Sequence, residues 1–301
     1  YIPGYQLKGG LSYRPVGGFS VFANYGYISK APIFDNVIDD YSAAIADDPK
    51  NEIFNAWEIG VNYETPQKNL SLKVNYYNTK WTDRAISRGV QTDAGTDAIV
   101  FLTGMDEAHQ GFEFEGIYKP IDFLEVTAIA SLGNWTYLND VGGTYREYDG
   151  SSYITEEYNY YIKDLKVGDS PQNQFGGKLT ILPISGLRIQ FDGRYYTNHY
   201  ADFDPTTRTD ETDVAQVWLT PSYFLADMHL SYKLPLKGKY GVEIYGHVFN
   251  LMDALYIQDA VDNSHYNGFM GYDDRFTHTV NSAEVYLGLP RTFNAGVVFT
   301  F

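Results

Sequence analysis

Leu187-Arg188-Ile189-Gln190-Phe191-Asp192-Gly193-Arg194-Tyr195-Tyr196 alternates without a break. Leu187, Ile189, Phe191, Gly193 and Tyr195 fall on one side, and Arg188, Gln190, Asp192, Arg194 and Tyr196 on the other. Successive side chains of a strand point to opposite faces, so a period of two predicts a strand with two unlike faces. The same pattern sets Phe224, Ala226, Met228, Leu230, Tyr232 and Leu234 against Asp227, His229, Ser231 and Lys233. It also sets Leu70, Leu72, Val74 and Tyr76 against Ser71, Lys73, Asn75 and Tyr77.

Working outward, eleven segments of this kind are predicted near 5–14, 19–29, 54–64, 69–81, 109–119, 123–137, 174–183, 187–199, 223–234, 240–250 and 292–301. Each has about ten residues or a few more, the length at which a tilted strand crosses a bilayer. Short turns at Gly17-Gly18, 66–68, 120–122, Ser185-Gly186 and 235–239 alternate with long connections over 30–53, 82–108, 138–173, 200–222 and 251–291. That alternation predicts periplasmic turns and extracellular loops of an outer-membrane barrel. A soluble sandwich or propeller would have shorter, more even connections.

The polar faces decide which side is dry. They carry Lys8, Arg14, Glu58, Lys73, Glu113, Glu115, Arg188, Asp192, Arg194, Asp227, Lys233 and Glu243. Burying so many charges in a dry core would cost several kcal/mol each unless paired. The expected fold is therefore all-β, a transmembrane antiparallel up-and-down barrel with its apolar faces on lipid and its polar faces on a wet lumen. Tyr13, Tyr63, Tyr118, Tyr137, Tyr195 and Tyr232, near strand ends, are expected in interfacial girdles.

Composition agrees. Tyr and Gly are each present 28 times, Cys is absent and the net charge is −16. The acidic balance argues against a nucleic-acid partner, which needs clustered Lys and Arg. No apolar run is long enough for a membrane helix, which leaves barrels open. The chain opens at Tyr1 with no basic or apolar leader, as expected after signal-peptide removal or within a longer protein. With Phe301 on the periplasmic side, eleven strands place Tyr1 at the extracellular rim, so an odd number of preceding strands is expected.

The end of the chain is its strongest motif. Asn294-Ala295-Gly296-Val297-Val298-Phe299-Thr300-Phe301 combines a glycine with two aromatics two residues apart, the second at the terminus. It resembles the β-signal read by the outer-membrane assembly machinery, with Gly296, Phe299 and Phe301 as its elements. Val248-Phe249-Asn250-Leu251-Met252-Asp253 with Tyr256, and Leu289-Pro290-Arg291-Thr292-Phe293, resemble the closing segments of TonB-dependent receptors, particularly those of Bacteroidota. Trp57-Glu58-Ile59-Gly60-Val61, Gly111-Phe112-Glu113-Phe114-Glu115-Gly116 and Ala130-Ser131-Leu132-Gly133-Asn134-Trp135 resemble that family in the same order. Met252 stands where the family usually has an aromatic.

The resemblance implies a barrel of about 22 strands. Residues 1–301 would be the C-terminal half of that one domain, the plug and Ton box lying upstream. It implies energised uptake of a nutrient across the outer membrane, not catalysis. The implied partners are the TonB–ExbB–ExbD complex, the assembly machinery, lipid and lipopolysaccharide, and a surface substrate-binding lipoprotein. A passive porin and an outer-membrane enzyme remain as alternatives.

Site chemistry is sparse. Trp81, Trp135, Tyr137, Tyr196, Tyr200, Phe203 and Trp218 sit where strands pass into outer loops and are expected to stack on substrate or to anchor at the interface. No cofactor is expected beyond a structural calcium in the 200–213 loop, with Asp202 and Asp204 as oxygen donors. Of the six histidines, His229 and His247 fall on polar faces of neighbouring strands and read as lumen residues satisfied by hydrogen bonds. Loops 35–48, 202–213 and 259–274 are rich in Asp and Glu, among them Asp35, Asp39, Asp40, Asp47 and Asp48. That charge predicts a neutral or cationic substrate rather than an anionic siderophore.

Overall fold

The computed structural model describes residues 3–38, 45–46, 48–91, 97–148, 153–236, 238–263 and 278–301. Strands β1 (Tyr5–Val16), β2 (Phe19–Lys30), β3 (Glu52–Glu64), β4 (Leu70–Gln91), β5 (Asp97–Ile121) and β6 (Leu124–Tyr137) come first. A hairpin of β7 (Val141–Tyr148) and β8 (Tyr153–Tyr160) follows. Then come β9 (Pro171–Ile181), β10 (Leu187–His199), β11 (Asp202–Phe203), β12 (Tyr223–Lys233) and β13 (Gly241–Phe249). β14 (Ile257–Asp262), β15 (Ala283–Leu287) and β16 (Thr292–Thr300) complete the order.

Eleven strands run side by side in the order β1-β2-β3-β4-β5-β6-β9-β10-β12-β13-β16, every neighbouring pair antiparallel. They correspond one for one to the eleven expected segments. The sheet is open, with β1 and β16 as its edges. The tight turns on one side demand glycine at two positions. Gly18 has φ +77° and a Cβ there would lie 2.0 Å from the Glu64 carbonyl; Gly186 has φ +85° and would place one 2.4 Å from the Lys233 carbonyl. At each turn the same neighbouring residue donates its amide to the glycine carbonyl, Glu64 to Gly18 at 2.7 Å and Lys233 to Gly186 at 2.9 Å.

Register assigns the faces. Leu187, Ile189 and Phe191 share a face with Tyr232, Leu230 and Met228, and through them with Ile244 and Val248. Large apolar residues on that face are open to solvent: Leu11 is 82% exposed, Phe112 55% and Phe293 74%. The opposite face carries polar contacts across and along its strands. Lys73 Nζ lies 2.6 Å from Glu115 Oε1, Asn75 donates to Glu113 at 2.9 Å, and Arg188 donates to Gln190, which donates to Asp192.

The long connections are not open loops. β4 and β5 are 22 and 25 residues long, well past the span of a bilayer, and continue as a paired ribbon over 84–91 and 97–105. The expected loop 138–173 contains the β7–β8 hairpin, with β7 paired to β5. A small sheet, β11-β14-β15, joins the 200–222 and 251–291 connections. The apolar core of the molecule sits here. Ile86, Val100, Leu102, Met105, Tyr137, Val141, Tyr160, Ile162, Leu165, Phe203 and Val217 form one buried cluster, and Val37, Ala46, Ala85 and Phe101 a second.

One side assignment is corrected. Tyr137 pairs with Glu107 and Trp135 with His109, which places both on the inner, polar face. Tyr137 is buried, not in an outward girdle. Tyr13, Tyr63, Tyr118 and Tyr195 are exposed, on the outer face.

Candidate functional site

Where β3–β6 leave the wall, their inner faces converge. Cross-strand register brings Phe54, Trp81, Glu107 and Tyr137 into one row, with Tyr77, Gly111, Gly133, His109 and Trp135 just below. Gly111 and Gly133 leave room for the rings: a Cβ on Gly111 would lie 2.8 Å from the Tyr77 hydroxyl, and one on Gly133 3.0 Å from Trp135 Nε1. Trp135 Nε1 donates to the Tyr77 hydroxyl at 3.0 Å. Trp81 stacks on Phe54 with centroids 4.7 Å apart, and the Arg84 guanidinium lies 4.7 Å from its ring.

Glu107 is the anchor of this row. It is buried, forms an ion pair with Arg84, and receives His109 Nε2 at 2.9 Å. Burial works to raise its carboxyl, but the His109 and Arg84 contacts outweigh burial and hold it below the usual carboxylate range. The Tyr137 hydroxyl, pushed up chiefly by burial, stays neutral beside it. Charge at this level is therefore balanced within the protein and fixed in position.

The other expected aromatics lie along β10 and the 200–222 connection. Tyr196 stacks on Tyr223 at 4.9 Å, which faces Tyr256 at 4.7 Å. Tyr200 packs against the buried cluster, and Trp218 is half-buried, its carbonyl accepting from the Ala201 amide. Trp81, Trp135 and Tyr137 are thus brought together, while Tyr196, Tyr200 and Trp218 form a separate stretch. Most of these rings contact other protein groups.

Asp204 Oδ1 accepts from the Thr206 amide at 2.9 Å, capping the short 3-10 turn Pro205–Thr207, and its Oδ2 lies 3.4 Å from Arg88 Nε. Asp202 is exposed in β11. Among the described residues no three His, Asp or Glu side chains gather as a metal site. Asp39, Asp40, Asp47, His265 and the 264–274 part of the acidic stretch lie outside the described residues.

A buried polar cluster that sequence reading missed ties the outer connections together. Arg208 Nη1 meets Asp213 Oδ1 at 3.0 Å and donates to the Ala215 carbonyl at 2.9 Å. His278 bridges Asp213 Oδ1 at 2.8 Å and Asp262 Oδ2 at 2.7 Å. Burial alone would lower the His278 pKa, but the two carboxylates outweigh it and hold it above the ordinary histidine value. Burial pulls Arg208 below its usual value. Its members come from two connections and share no spacing that a sequence pattern reveals.

Solved structures of similar shape share this wall. The ferric-catecholate import receptor Fiu of E. coli K12 in its closed form is 19% identical with a TM-score of 0.57, covering 97% of this chain and 34% of its own. The copper transporter OprC is 15% identical with a TM-score of 0.62, over 97% of this chain and 39% of its own. The FrpB iron transporter of Neisseria meningitidis is 14% identical with a TM-score of 0.61, over 98% of this chain and 39% of its own. The chain therefore spans between about a third and two-fifths of these proteins, and at such identities the likeness is one of fold. No curated protein matches it significantly in sequence. Residues 5–251 match the family model described as TonB dependent receptor-like, beta-barrel, and the chain belongs to that family.

Proposed function

We propose that this chain is the C-terminal part of the barrel wall, the second half of about 22 strands, in an outer-membrane receptor that imports a nutrient with energy from TonB. The observation that carries this reading is the division of the wall. Its outer face is apolar and open, and its inner face is polar and cross-linked, as lipid outside and a wet lumen inside require. The packed outer layer gives the substrate a fixed surface, with Trp81, Trp135, Tyr137, Tyr196, Tyr200 and Trp218 at or near the mouth. The TonB–ExbB–ExbD complex acts through an upstream segment, and a surface lipoprotein delivers substrate.

The net charge of −16 and the acidic outer connections favour a neutral or cationic substrate: a glycan, a peptide, or a metal complex without net negative charge. Gly296, Phe299 and Phe301 serve assembly. Phe299 lies on the outward face of the edge strand β16, opposite Val242, where a partner edge or the assembly machinery can engage it.

The test is uptake by cells carrying the full-length protein, with and without TonB. Import of a bound ligand should be lost without TonB. Undiminished import would instead indicate a passive channel. Tight binding of an anionic siderophore that weakens steeply with salt would overturn the substrate class. Deleting Phe301 should lower surface-labelled protein more than it lowers the stability of barrels already folded.

A further inference from the structure

The inner face of β10, β12 and β13 holds a histidine pair that the uptake reading does not use. His229 and His247 are direct cross-strand partners, and Asp192 stands on the neighbouring strand opposite Asp227. The Nδ1 atoms of the two histidines are 2.8 Å apart, with ring centroids 4.9 Å apart and planes at 62°. On its other side, His229 Nε2 lies 3.2 Å from Asp192 Oδ2. That oxygen also accepts from Gln190 Nε2 at 2.6 Å, which fixes the carboxylate in place.

The carboxylate sets the tautomer. Asp192 can only accept, so His229 carries its proton on Nε2 and presents a bare Nδ1 lone pair to His247. His247 in turn supplies the Nδ1 proton that the two nitrogens share. A ligating histidine oriented through its second nitrogen by a carboxylate is the usual support for an imidazole–metal bond.

We propose that His229 and His247 bind a divalent transition-metal ion of the imidazole-binding class, Cu2+, Ni2+ or Zn2+, through their Nδ1 atoms, with Asp192 as the positioning residue. The 2.8 Å between the two nitrogens is the hydrogen bond of the metal-free pair, and an ion entering between them replaces it. In binding, the His247 proton moves from Nδ1 to Nε2 by way of solvent, and each ring turns so that its lone pair meets the ion. Asp192 reaches the pair only through His229 Nε2, and both histidines lie on the inner face, so the remaining coordination positions open to the lumen and take water or the ligands of an incoming complex. Tyr245 and Phe249 flank His247, with ring centroids 5.3 and 6.1 Å away, and restrict the ring's other rotamers.

The site rests on these three side chains and not on the uptake reading, so it is tested without transport. The intact full-length protein, folded in detergent, is titrated with CuCl2 and followed by electron paramagnetic resonance and calorimetry. One tetragonal Cu2+ with hyperfine coupling to two imidazole nitrogens is expected. His229→Gln with His247→Gln should remove that signal. Asp192→Asn should retain the two-nitrogen signal but weaken affinity about 10–100-fold. Heat-modifiable migration of each variant on gels reports that the barrel still forms. A two-nitrogen signal that survives in the double variant would overturn the proposal, as would its absence from the unaltered protein.

Discussion

In the strand wall Leu11, Phe191 and Leu230 stand exposed, whereas in the outer layer Leu102, Met105 and Ile162 are sealed from solvent. The same residue types meet two different environments in one chain. The wall turns its apolar side chains away from the molecule and its charges inward, an order that holds when lipid surrounds it. The outer layer is built like a soluble domain, with β4 and β5 overhanging the membrane, a hairpin laid beside them and apolar residues buried between. What separates the regions is the solvent each is built for, so each should fail to different substitutions.

The largest effect is expected in the outer layer. Leu102 is fully buried there, and Leu102→Ala should cost about 2–5 kcal/mol of local stability. Hydrogen exchange should show lost protection over 99–105 and 160–165, with the wall unchanged; equal loss in β10 and β12 would mean that the two regions are one cooperative unit. Nearly as large is the effect of charge on the outward face. Phe191→Arg should cost about 2–4 kcal/mol in folding into bilayers, and Gln190→Arg, one residue away on the inner face, close to nothing. Similar costs for both would erase the distinction between faces.

A smaller, pH-dependent effect separates the regions again. The folded pKa of His278 lies above its unfolded value, so its contribution is complete below about 6.5 and is lost as pH rises through the raised folded value. Exchange protection of 200–217 and 257–262, corrected for intrinsic rates, should fall over that rise while the wall's does not. Asp262→Asn should move the transition to lower pH, and an unmoved transition would assign the effect to another group. The smallest effect belongs to the inner face. Lys73 and Glu115 are about half exposed, so Lys73→Met should change stability by less than about 1 kcal/mol by bilayer-folding titration.

The wall was legible because lipid and water on opposite sides leave a period of two in every strand, as Leu187 to Tyr196 illustrates. The outer layer left no such trace. Val141-Gly142-Gly143-Thr144 carries two glycines that obscure a strand, and β11 is two residues long, too short for any period. Tyr137 reads as an outward residue because Asn134-Trp135-Thr136-Tyr137 is polar and aromatic on both sides, and only its pairing with Glu107 places it on the inner face. Arg208 and His278 meet across seventy positions through the tertiary fold. The candidate aromatics are legible as residue types at strand ends, but not the neighbours that occupy their rings.

Odd positions of β10 meet lipid and even positions meet a wet lumen. The chain has no cysteine, so single cysteines can be placed one at a time from 187 to 192, spin-labelled, and the full-length protein reconstituted in vesicles. Relaxation by oxygen, which concentrates in lipid, should peak at 187, 189 and 191, and relaxation by a water-soluble nickel chelate at 188, 190 and 192. The same accessibility at all six positions, or the opposite alternation, would overturn this assignment of faces.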